Sequence, residues 1–142
     1  MSTRVDFALG ASNRFRTACE VVRKQYLAGR QLIVFHTDSR ALQRFDHLLW
    51  GFEPTAFVPH VMIQDKAAAD TAVLLCQDPQ LLPSAPSENQ WLLNLAPTTP
   101  PLPTAFTRIL EIVSHQEQDK QYARQRWRQY QQHGYTLRNH QL

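Results

Sequence analysis

The sequence predicts one α/β domain, a mostly parallel sheet flanked by helices. Three observations predict it. Residues 31–35 (QLIVF), 71–76 (TAVLLC) and 91–95 (WLLNL) are short, almost wholly apolar runs, the pattern of strands covered on both faces. Stretches with helical periodicity lie between them, so strand and helix alternate along the chain. The 142 residues are 43% hydrophobic and 19% charged, which suits a single domain, residues 1–142, with a substantial core and little disorder.

Each element follows from its own signals. Residues 4–9 (RVDFAL) alternate in polarity and read as a first strand, ended by Gly10. Ser12 or Asn13 can cap a helix running to about Ala28. Phe15, Cys19, Val22 and Tyr26 form its apolar stripe, and Gly29 is its expected stop. Strand 31–35 completes a βαβ unit. Thr37 or Asp38 then caps a second helix through Leu42, Phe45, Leu48, Leu49 and Trp50. Residues 51–60 (GFEPTAFVPH) are an irregular aromatic link. A short strand at 61–64, a polar and alanine loop at 66–70 and the strand at 71–76 come next. Pro79, Pro83 and Pro86 make residues 77–89 a surface loop. After strand 91–95, residues 96–103 are proline-rich and extended. Residues 106–113 (FTRILEIV) suit a strand or a short helix entering one.

The last element carries the most chemistry. Residues 116–135 (QEQDKQYARQRWRQYQQHGY) read as one helix of good formers closed at Gly134. At about 100° per residue, Lys120, Arg124 and Arg128 share one ridge with Trp127 beside it, while Ala123 and Tyr130 face the protein. Arginine forks bind carboxylates, and an adjacent aromatic holds an apolar group. The row therefore suits an acidic peptide tail with a hydrophobic end and a free carboxylate. Single-stranded nucleic acid is the alternative, and a solvated basic face the plain one.

Other features narrow the function class. The net charge of +3 is too small to argue for non-specific DNA binding. Cys19 and Cys76 lie in apolar surroundings and outside any CxxC pattern, so they read as buried, reduced thiols. Nothing resembles a signal peptide or a membrane span, and the expected location is the cytoplasm, away from membranes. The six histidines form no metal-binding pattern, so no metal or other cofactor is expected. The chain has only Gly10, Gly29, Gly51 and Gly134, and no glycine-rich nucleotide loop. His36 and Asp38 follow a strand where α/β enzymes place active sites, yet one His and one Asp there are commonly capping groups. No catalytic motif occurs. Trp50, Phe52 and Phe57 crowd one segment. It is either a loop folded on its own core or a hydrophobic patch for a partner.

Taken along its whole length, the chain resembles the chi subunit of bacterial DNA polymerase III holoenzyme. The likeness runs through VDFAL, ACEVVRKQYLAGRQLIVF, TDSRALQRFDHLLW, AFVPH, LLNLAP, FTRILEIV and RQYQQHGYTLRNH, in that order. The resemblance implies a Rossmann-like fold without a nucleotide site. It also implies a non-catalytic accessory subunit of a DNA-directed DNA polymerase, a nucleotidyltransferase. Such a subunit is an adaptor in the clamp-loader assembly and meets DNA only indirectly. One surface would bind the acidic C-terminal tail of single-stranded DNA-binding protein, which ends in Pro-Phe, and another the psi subunit. The tail site would comprise Arg124, Trp127 and Arg128, with Lys120 on the same ridge. Trp127 stands where the family commonly has tyrosine and Arg128 where it has lysine. The psi surface would comprise Trp50 and Phe57, with Phe52 in the same segment. Residues 61–75 (VMIQDKAAADTAVLL) lack glycines common in the family.

Overall fold

The computed structural model of the protein describes residues 3–142. Seven strands and three helices follow in the order β1 (Arg4–Ala11), α1 (Arg14–Leu27), β2 (Gln31–Phe35), α2 (Ser39–Gly51), β3 (His60–Met62), β4 (Val73–Cys76), β5 (Gln90–Asn94), β6 (Arg108–Ser114), α3 (Glu117–Gln132) and β7 (Thr136–Gln141). They build one sheet of order β3-β4-β2-β5-β6-β1-β7. Every pairing is parallel, so the mostly parallel, Rossmann-like expectation resolves to a wholly parallel sheet.

The apolar runs are buried on both faces, as their composition requires. Leu32 and Val34 of β2 pack beneath α1 and α2 with Cys19, Val22, Phe45 and Leu49. Ile33 and Phe35 point to the other layer, with Ala123 and Tyr130 of α3. Asn13 caps α1 by accepting from the Arg16 N–H, and Asp38, rather than Thr37, caps α2 by accepting from the Arg40 N–H.

Four expectations change. Gly10 does not end β1. It takes φ +86° at an irregularity between Leu9 and Ala11, and the strand continues so that Ala11 pairs with Ser114; glycine enters that conformation without the Cβ clash. Of the two readings at 106–113 the strand one holds, as β6 over Arg108–Ser114. The short strand expected at 61–64 begins one residue earlier and ends at Met62, and a 3-10 turn at Ala68–Asp70 interrupts the expected loop. The chain also adds β7 after the Gly134 turn, a strand the apolar pattern does not announce.

Chain connectivity marks where a site belongs. β1 and β6 are neighbours, yet β1 leads into α1 on one face and β6 into α3 on the other. Such a switch point opens a crevice at the carboxyl ends of the strands.

Candidate functional site

Helix α3 is fixed in rotation by a buried ion pair. Glu111 sits in the middle of β6, 1% exposed, and a carboxylate there needs partners. Arg126 Nε donates to its Oε1 at 3.0 Å, while Tyr130 Oη and Asn94 Nδ2 donate to its Oε2 at 2.6 and 2.9 Å. Arg126 Nη1 also donates to the Pro97 carbonyl, and among the described residues Nη2 has no partner. Burial beside Glu111 pushes the Tyr130 hydroxyl well above its ordinary range. Sequence reasoning missed Arg126, which lies in a run of basic residues. Its spacing was the available signal, because Arg126 falls between Ala123 and Tyr130 on the inward stripe.

With that stripe inward, the expected ridge faces out. Lys120, Arg124 and Arg128 are exposed and Trp127 is half-buried, its ring 5.1 Å from that of Phe7. These four residues line one cavity of about 500 Å³ between α3 and the β1–β7 edge. Phe7, Leu9, Val113 and Ala123 supply apolar walls, and Asn139 and Gln141 of β7 complete them. Arg124 approaches Glu117 at 3.6 Å, but both side chains are well exposed, so that pair holds the guanidinium only weakly. Among the described residues Lys120 and Arg128 have no ion-pair partner. The arrangement is an apolar slot rimmed by three cations, which fits a hydrophobic group carrying or adjoining a carboxylate.

The second predicted cluster divides. Trp50 and Phe57 are exposed, at 47% and 68%, with ring centroids 5.5 Å apart. Trp50 also lies 4.2 Å from the His60 ring, which is held by the Val58 carbonyl and the Asp46 carboxylate. Phe52, expected on the same interface, is instead in the core. It continues the inward stripe of Phe45 and Leu49 at i, i+4, i+7, which carries its ring under the sheet. The exposed pair lies at the α2–β3 end of the molecule and the cavity on the β7 edge. Six strand spacings separate those edges, about 29 Å at roughly 4.8 Å each.

His36 and Asp38 line a crevice at the switch point together with Arg14, Arg44 and Asp119. Both are engaged locally. The Asp38 N–H donates to His36 Nδ1 at 2.9 Å, and the Asp38 carboxylate caps α2. Burial, reinforced by Arg14, pushes the His36 pKa below its usual value, which keeps the ring neutral at pH 7. Arg14 Nε and Nη1 donate to the carbonyls of Ile112 and Leu95, each at 2.8 Å, and so tie α1 to the ends of β6 and β5.

The model of the family described as "DNA polymerase III chi subunit, HolC" matches residues 1–138. The chain belongs to the DNA polymerase III chi family. Among relatives, the DNA polymerase III subunit chi of Pseudomonas aeruginosa is 31% identical over 144 residues, covering 99% of this chain and 97% of its own length. The Escherichia coli DNA polymerase III subunit chi is 27% identical over 128 residues, covering 90% and 85%. Chi-family membership makes the chain an accessory subunit of a replicative polymerase. No helix among the described residues is long and apolar enough to cross a membrane.

Proposed function

We propose that the chain is a non-catalytic adaptor that holds the acidic C-terminal tail of single-stranded DNA-binding protein on its β7 edge and the psi subunit at Trp50 and Phe57. The observation that carries the tail site is the cavity, which sets Lys120, Arg124, Trp127 and Arg128 round one apolar slot. The tail's terminal phenylalanine fills the slot. Its carboxylate and the preceding aspartates pair with Arg124, Arg128 and Lys120. Trp127 forms one wall and cannot swing out to stack on a base without leaving Phe7, which weighs against direct capture of single-stranded nucleic acid by this helix. The exposed Trp50–Phe57 pair is the kind of aromatic anchor that dominates interfaces.

Fluorescence anisotropy with a labelled peptide of several aspartates followed by Ile-Pro-Phe tests the tail site. Micromolar affinity is expected, about −8 kcal/mol at 25 °C, lost when the final Phe is removed. It should weaken with salt, since screening acts over about 8 Å at physiological ionic strength. Equal binding of both peptides, or of neither, overturns the assignment. A gel shift with bare single-stranded DNA should show no complex under the same conditions.

A further inference from the structure

We propose that the acidic tail binds as an added strand on β7, giving the sheet an eighth member; this rests on the tail-binding reading above. β7 ends the sheet. Its pairing with β1 is continuous over six residues, without a bulge, and it contains no proline. The Thr136 N–H donates to the Thr3 carbonyl and the Leu142 N–H to the Leu9 carbonyl. Alternation along a strand therefore turns the even-numbered peptide groups toward β1 and those of Leu137, Asn139 and Gln141 outward. An edge that is regular and free of bulge and proline is a template for another extended chain.

Charge selects which chain. Residues of an added strand point alternately to the two faces of the sheet. On the α3 face they meet the cavity, with Asn139 and Gln141 beneath the cations of the helix. On the opposite face β7 presents Arg138 and His140. Arg138 has no ion-pair partner among the described residues. A run of aspartates thus finds positive charge on both sides. Such a run is also extended by its own repulsion before it binds, so little ordering is required. Six residues of β7 span about 20 Å, room for the aspartates along the edge while the terminal phenylalanine turns into the slot.

Amide hydrogen exchange on the full chain, read by NMR with and without the Ile-Pro-Phe peptide, tests this. The N–H groups of Leu137, Asn139 and Gln141 should slow at least tenfold on binding, while those of Arg138 and His140 change little. N-methylation of alternate aspartates should weaken binding about tenfold in one register and hardly at all in the other. If the peptide binds through its Phe but the three amides exchange as before and no N-methyl group matters, strand addition is wrong and side-chain capture alone stands. If the unmodified peptide does not bind, both readings fall.

Discussion

The Glu111–Arg126 pair decides how α3 presents its ridge, because each group has given up water for the other. Removing one partner strands a buried charge, so Glu111→Ala should cost about 3–5 kcal/mol in urea unfolding. Replacing both residues with apolar ones of similar volume should cost much less. Arg124 is the opposite case, 58% exposed at the side chain. Arg124→Ala should leave unfolding unchanged and weaken tail binding about fivefold at low salt, near 1 kcal/mol. Asp6 lies between these extremes. Burial alone would raise its carboxyl, but hydrogen bonds from His140 and Arg4, and Arg108 at 2.7 Å, outweigh that and hold it below its usual value. A depressed folded-state pKa gives stability that is present above the unfolded value of about 3.9 and lost as pH falls through the folded one. Asp6→Asn should therefore lower stability at pH 7 and flatten its decline below about pH 4. Burial likewise pushes the Cys19 thiol up to about 12 and Cys76 up to about 11. Both should resist alkylation at pH 8 until the protein unfolds.

At the scale of elements, the helix that closes on a glycine tests the local rules. Gly134 holds φ +74° with open space where a Cβ would go, so Gly134→Ala should cost about 1 kcal/mol through backbone strain alone, measurable as a lower Tm. Gly10→Ala carries a further penalty, since its Cβ would sit 3.0 Å from Gln141 Nε2 at the mouth of the cavity. The buried strands were legible in the sequence because solvent touches neither face, and their composition says so. The ridge of α3 was legible because helical spacing alone places Lys120, Arg124 and Arg128 together. β7 was not. Its residues TLRNHQ are mostly exposed at a sheet edge, and an edge strand that packs little leaves no apolar trace. Phe52 stands beside Trp50 in the sequence, yet its spacing from Phe45 and Leu49 puts it on the inward stripe. Arg126 is not legible in the same way, because charge argues for the surface, and only the lone Glu111 in a buried strand demands otherwise.

For the whole molecule, the two proposed surfaces lie at opposite ends of one sheet. Substitutions that far apart should act independently. Phe57→Ala should weaken co-purification with a psi-like partner and leave the anisotropy titration unchanged; loss of both would mean misfolding. The order of strands also has a bearing on the molecule's making. Arg4 pairs with Arg108 on one side and Thr136 on the other, so β1 waits for both its neighbours until strands more than a hundred positions further along have been made. β2 to β5 can associate under α1 and α2 meanwhile, whereas Phe7 and Leu9 have no walls to form until β6, α3 and β7 are in place. The slot is thus absent until α3 and β7 are made, and a product clipped before α3 keeps Trp50 and Phe57 yet has nothing with which to grip a tail.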